Sequence, residues 1–142
     1  MLKIAVFVSG GGTDLQSIID FEKRGQLNNG TVALVISNRK KAYGLERAKN
    51  EGIEAIWEKD QHKIIEILEA RNIDLIVLAG YLAILSEEFV KKYEHRIINI
   101  HPSLIPAFCG DGMYGIHVHE AVLKRGAKIS GATVHFVNEI TD

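Results

Sequence analysis

The chain has 142 residues, with 17 lysines and arginines against 18 aspartates and glutamates, for a formal net charge of -1. That balance argues against nucleic acid or an anionic membrane as a partner, and a composition of 46% hydrophobic and 25% charged residues is that of one globular domain able to bury a core. A single cysteine, Cys109, excludes an internal disulfide framework and suits a reducing cytoplasm.

The first element is the apolar run Leu2–Val8, too short to cross a membrane and followed by no small-residue cleavage site. It reads as a buried first strand. Leu15, Ile18 and Ile19 then open a helical pattern, with Thr13-Asp14 as its expected N-cap. Residues 32–36 form a second short run of Val, Ile and Leu. A helix over 43–51 is stopped by Gly52, and Trp57 is placed in or beside a third strand. A third helix covers 62–71, with Ile64, Ile67 and Leu68 on one face. A strand at 75–79 and a helix at 86–93 follow, the latter with Ser86-Glu87-Glu88 at its positive end. Residues 96–101 read as a strand closed by Pro102, 117–125 as a helix and 129–137 as a last strand. No repeat, low-complexity tract or interdomain linker interrupts residues 1–142. Strands alternating with helices imply βαβ units, hence an α/β fold with an open, mostly parallel, twisted sheet covered by helices on both faces.

Two stretches bear on chemistry. Ser9-Gly10-Gly11-Gly12-Thr13-Asp14 joins the first strand to the first helix. Such a loop suits a phosphate, through backbone N–H groups and a helix N-terminus, or serves equally as a tight turn. A dinucleotide fingerprint is disfavoured, because Leu15 stands where its third glycine belongs and the second strand ends in Ser37-Asn38-Arg39 without an acid. A Walker-type loop would need Gly-Lys followed by Ser or Thr, which the chain lacks. A monophosphate is therefore the better guess. The other stretch is Asn99-Ile100-His101-Pro102-Ser103-Leu104-Ile105-Pro106. Alternation along a strand puts Asn99 and His101 on one face, at the end where open α/β sheets bind ligands. An amide can stabilise an oxyanion and an imidazole can move a proton near neutral pH, a pair suited to acyl or formyl transfer. An isolated Asn-x-His is more often a polar strand end facing solvent.

The two prolines and Ser103 shift that balance, because the eight-residue stretch closely resembles the signature of the glycinamide ribonucleotide formyltransferase family. Four further blocks, in family order, resemble it as well. Ser9 to Gln16 is similar to its phosphate loop, and Ser37-Asn38-Arg39 to its second strand end. Leu78-Ala79-Gly80-Tyr81-Leu82-Ala83-Ile84-Leu85 is similar to the segment lining its folate pocket. Gly131-Ala132-Thr133-Val134-His135-Phe136-Val137 is similar to the strand before its catalytic aspartate. The resemblance covers the whole chain. Related enzymes fit less well. Methionyl-tRNA formyltransferases have Ala where Pro102 stands, and formyltetrahydrofolate hydrolases tend to have His-His-Ser-Phe in place of His101-Pro102-Ser103-Leu104. Only Ala107-Phe108 is hydrolase-like.

The resemblance implies a Rossmann-like formyltransferase fold in which the amine of glycinamide ribonucleotide attacks the formyl carbon of 10-formyltetrahydrofolate directly. Asn99 would stabilise the oxyanion and His101 would assist charge and proton movement. Asp142, seven residues after His135, would pair with His101 and raise its pKa. Gly11, Gly12, Thr13 and Asp14 would hold the substrate phosphate. Leu82, Ala83, Ile84 and Leu85, with Asn99, would bind the folate, and Gly80, Ile100 and Pro102 would touch substrate. The folate is a cosubstrate; no tightly bound cofactor and no metal are expected. The family also continues beyond the point matching Asp142, through further strands and a C-terminal helix. The chain is therefore expected to be incomplete at its C-terminus, with self-association through exposed sheet edge a possible consequence. Asp14 departs from the Asn of many members, and Ala83 lacks the long polar side chain some members carry. His135 reads more readily as a satisfied core histidine than as a site residue. His117 and His119 lack the i, i+4 spacing of a helical metal pair, and Cys109 has no evident activating base. Arg39-Lys40-Lys41 reads as a solvated loop. The competing readings are a formyltetrahydrofolate hydrolase and a non-catalytic phosphate- or folate-binding module.

Overall fold

The computed structural model describes residues 1–101 and 133–137, with the side chains of His101 and Thr133 left aside. Within them β1 (Leu2–Val8), α1 (Thr13–Lys23), β2 (Gly30–Ser37), α2 (Tyr43–Asn50) and β3 (Glu54–Trp57) form the first half. Then come α3 (Gln61–Ala70), β4 (Leu75–Leu78), α4 (Glu87–Lys92), β5 (Ile97–His101) and β6 (Thr133–Phe136). The expected helix over 117–125 lies outside the described residues, as do Pro102, Cys109, His117, His119 and Asp142.

The strands join in one sheet of order β3-β2-β1-β4-β5-β6. All pairs are parallel except β5 with β6, which runs antiparallel. β1 is central because both its faces are apolar. Ile4, Val6 and Val8 pack with Leu15, Ile19, Leu45 and Ala48 of α1 and α2. Ala5 and Phe7 pack on the other face with Ile64, Leu68 and Phe89 of α3 and α4. Alternation of side chains along a strand thus builds two cores from one segment. Leu15 is fully buried in the first of them.

The β1–β2 register slips between Ile4 and Ala5, so that Ala33 is left over as a bulge. The carboxylate of Glu22 takes the Val32 N–H and the Thr31 hydroxyl, both at 2.7 Å, so these donors are satisfied beside the bulge. Ser86 caps α4 by accepting the Phe89 N–H, and Asp60 caps α3 by accepting from His62 and Lys63. α1 differs from expectation. Its cap is Gly12, at φ 74°, ψ 31°, without a side-chain hydrogen bond, and Thr13 and Asp14 already belong to the helix. The reason is steric. A Cβ at Gly12 would lie 2.7 Å from the Cα of Gly44, so α2 packs too close for any capping side chain.

Candidate functional site

β2 and β3 lie on one side of β1, and β4, β5 and β6 on the other. The strand order therefore reverses between β1 and β4, and the crevice beyond the carboxyl ends at such a point is where open α/β sheets take ligands. Three predicted segments converge there: the glycine loop after β1, residues 79–85 after β4, and Asn99 near the end of β5.

Backbone and side-chain bonds tie the first two together. Ser9 N–H donates to the Gly80 carbonyl (3.2 Å), and the Ser9 hydroxyl accepts the Leu82 N–H (2.8 Å) while donating to the Asn38 side-chain oxygen. Ser9 is 2% exposed, so this hydroxyl joins the ends of β1, β2 and β4 out of contact with water. Neither Ser9 nor Asn38 was singled out from the sequence for this role. Their partners lie 73 and 29 residues away, which no local pattern reveals.

The three glycines of the loop and Gly44 of α2 divide into two kinds. Gly12 is packed against Gly44, and Gly44 against Val8. A Cβ at Gly10 or Gly11 would meet no described atom within 4 Å, and neither has a positive φ. Among the described residues neither packing nor a positive φ requires glycine at these two positions, so the loop is open to close approach there. The first-turn N–H groups of α1, which lack a side-chain cap, lie beside them.

The segment after β4 alternates. Leu82 and Ile84 are exposed, Ile84 at 88%, whereas Ala83 and Leu85 are half-buried. Tyr81 and Leu85 pack on the core beneath. Gln61 holds the segment from α3: its side-chain amide donates to the Ile84 carbonyl (2.7 Å) and accepts the Ser86 N–H (2.8 Å). Gly80 has φ 70°, which starts the turn. Beneath the turn the Tyr81 hydroxyl is buried with no hydrogen-bond partner among the described residues, and burial pushes its pKa up. Its ring meets Phe7 edge-on at 5.2 Å.

Asn99 pairs with Leu78 on one side and with His135 on the other, and is half-buried. Its Nδ2 lies 3.1 Å from His135 Nε2, and His135 Nδ1 lies 3.2 Å from the Phe136 carbonyl. Both contacts are satisfied when Nδ1 carries the ring proton and Asn99 donates to Nε2. That fixes the amide plane and leaves the second N–H of Asn99 as a further donor. His135 is half-buried, not a core residue as expected, and it sits directly against the proposed oxyanion donor. Ile100 packs on the α1–α2 core, the face opposite Asn99. The side chain of His101, with Pro102 and Asp142, lies outside what is described. Arg39, Lys40 and Lys41 are exposed as expected, with Lys40 5.6 Å from the ring centroid of a half-exposed Trp57. Among the described residues no group of three His, Cys, Asp or Glu is arranged to hold a metal. No described helix is long and apolar enough to cross a membrane.

A mostly parallel sheet whose strand order reverses between β1 and β4, with a glycine loop and a clamped apolar turn at that reversal and an amide on the neighbouring β5, is of the Rossmann-like α/β class. The chain belongs to the formyl transferase family, whose model matches residues 2–142. It is 42% identical over 149 residues to the chloroplastic phosphoribosylglycinamide formyltransferase of Vigna unguiculata, covering 99% of this chain and 47% of that one. It is 40% identical to the phosphoribosylglycinamide formyltransferase of Haemophilus influenzae, covering 100% of this chain and 68% of that one. The crystal structure of the Anaplasma phagocytophilum phosphoribosylglycinamide formyltransferase superposes with a TM-score of 0.89 at 36% identity, over 99% of this chain and 67% of that one. The chain spans about half the length of the plant relatives it matches, 47% and 51%.

Proposed function

We propose that this chain transfers the formyl group of 10-formyltetrahydrofolate to the amine of glycinamide ribonucleotide, a step of purine synthesis. The observation that supports the reading is Asn99, held by His135 on β5 and paired with Leu78 at the end of β4, which leads into the apolar turn. The ribonucleotide phosphate rests on Gly11, Gly12, Thr13 and Asp14, where backbone donors and the α1 N-terminus supply positive potential. Folate packs on Leu82, Ala83, Ile84 and Leu85, where a planar ring would cover the exposed side chains of Leu82 and Ile84. Gly80, Ile100 and Pro102 complete the substrate contacts.

The amine attacks the formyl carbon to form a tetrahedral intermediate, which collapses by breaking the bond from that carbon to the folate nitrogen; the amine's proton passes to that nitrogen and tetrahydrofolate leaves. Asn99 donates its remaining N–H to the developing oxyanion. His101 assists proton movement and Asp142 pairs with it, which favours the imidazolium. The folate is a cosubstrate, and the reading uses no tightly bound cofactor or metal. Residues 1–142 belong to one catalytic domain, incomplete at its C-terminus, that acts on two small molecules, in the cytoplasm, with neither nucleic acid nor membrane as a partner.

The test is formyl transfer between those two substrates, with Asn99→Ala and His101→Ala beside the unaltered protein. Transfer that falls by about a hundredfold or more in each variant supports the assignment. Transfer untouched by both substitutions sinks it. Formate release without the ribonucleotide would identify a hydrolase instead.

A further inference from the structure

The carbonyls of the glycine loop do not point at random. Gly44 N–H donates to the Gly10 carbonyl at 3.0 Å, and Arg47 Nε donates to the Gly11 carbonyl at 2.6 Å. Both donors belong to α2. A trans peptide sets each carbonyl opposite the N–H that follows it. Pinning the Gly10 and Gly11 carbonyls on α2 therefore aims the Gly11 and Gly12 N–H groups away from α2, side by side. Gly12, in the left-handed region, then turns the chain into α1. Successive N–H groups aimed one way before a left-handed residue form an anion-binding concavity. Arg47 is itself held in place. Its guanidinium carbon lies 5.0 Å from the Tyr43 ring centroid, and Nη1 is 3.4 Å from the Gln16 side-chain oxygen.

We propose that Arg47 is a positioning residue for the phosphate of the ribonucleotide, acting through the Gly11 peptide and not by its charge. The inference rests on the function proposed above, which it deepens by naming what sets the geometry of the phosphate cradle. Arg47 holds the peptide plane, the plane aims the donor, and the donor meets the phosphate.

Side-chain lengths make this testable. In Arg47→Gln the amide nitrogen stands as many bonds from Cα as Nε does, so the donor to Gly11 remains while the charge is removed. In Arg47→Met the length remains and the donor is lost. Arg47→Lys keeps the charge. For Arg47→Met we expect KM for the ribonucleotide to rise about tenfold, with kcat and KM for the folate unchanged. Arg47→Gln should recover most of that loss. If Gln and Met are equally impaired while Lys is not, charge is what matters and the proposal is overturned. It is equally overturned if all three match the unaltered protein, or if kcat and both KM values shift together. Binding of inorganic phosphate, measured by calorimetry on the same variants, separates this from the assignment of activity. The same order of affinities in a protein that does not transfer formyl groups would retain the cradle and reject the reaction. Phosphate affinity identical in all four proteins would reject the role of Arg47 even if transfer occurs.

Discussion

The loops after β1 and β4 face the same crevice, but they are held in opposite ways. The first is fixed through its carbonyls, by donors on α2, and presents backbone N–H groups. The second is fixed through the Leu82 N–H, the Ile84 carbonyl and the Ser86 N–H, by the side chains of Ser9 and Gln61, and presents Leu82 and Ile84. One loop offers hydrogen-bond donors to an anion; the other offers apolar surface to a ring. On the function proposed above, the difference would let a single sheet end receive two chemically unlike ligands: what a loop presents depends on which of its groups the scaffold has already used.

The largest expected effect tests the packed glycines against the open ones. Gly12→Ala forces a left-handed alanine and drives its Cβ to 2.7 Å from the Gly44 backbone, so it should cost about 3 kcal/mol of stability. Gly10→Ala, whose Cβ meets no described atom within 4 Å, should change stability by no more than about 0.5 kcal/mol. It should nevertheless weaken ribonucleotide binding. Urea denaturation midpoints check the first pair of statements and ribonucleotide titration checks the last. Equal destabilisation by both would erase the distinction between packed and open glycines.

Next in size is Ser9→Ala. Losing the hydroxyl leaves the Leu82 N–H without its acceptor at 2.8 Å and Asn38 without its donor, which should cost about 2 kcal/mol. Because Ser9 joins both loops, KM should rise for both substrates. Gln61→Ala is the sharper probe, since it touches only the second loop. It should cost about 1 kcal/mol and raise KM for the folate while leaving that for the ribonucleotide alone. A rise in both would mean that the two loops move as one body.

These contacts also mark where sequence reading stops. β1, β2 and β4 were legible because a strand buried on both faces is an unbroken apolar run. β3 was located only through Trp57, because Glu54 and Trp57 are exposed at a sheet edge and the run of four is short. The glycine loop was singled out from its composition, and Asn99 from strand alternation together with a family signature. The α1 cap was misplaced on Thr13-Asp14 because capping preferences favour side-chain acceptors, whereas the approach of Gly44 is a tertiary fact. Arg47 and Gln61 escaped notice for a similar reason: they act on backbone atoms 36 and 23 residues away. His135 was near enough to a motif to be noticed. Only the antiparallel register of β5 and β6 sets it opposite Asn99.

The smallest effect has the opposite sign. The Tyr81 hydroxyl lies under the second loop with no partner among the described residues, so Tyr81→Phe removes a desolvated group and should stabilise the protein by up to about 1 kcal/mol. Titration gives an independent check. Burial raises the Tyr81 pKa above its ordinary value of 10.0. A folded-state pKa above the unfolded one contributes stability that is fully present below the unfolded pKa and is lost as pH rises through the folded value. Tyr93 shifts in the same direction, chiefly through burial, so part of the alkaline loss should persist in the variant. The gain from Tyr81→Phe should therefore widen as the pH is taken above about 10, where the unaltered chain must ionise a buried phenol or unfold. A gain that stayed constant with pH would place the hydroxyl in contact with solvent and make the clamp formed by Ser9 and Gln61 looser than its bond lengths imply.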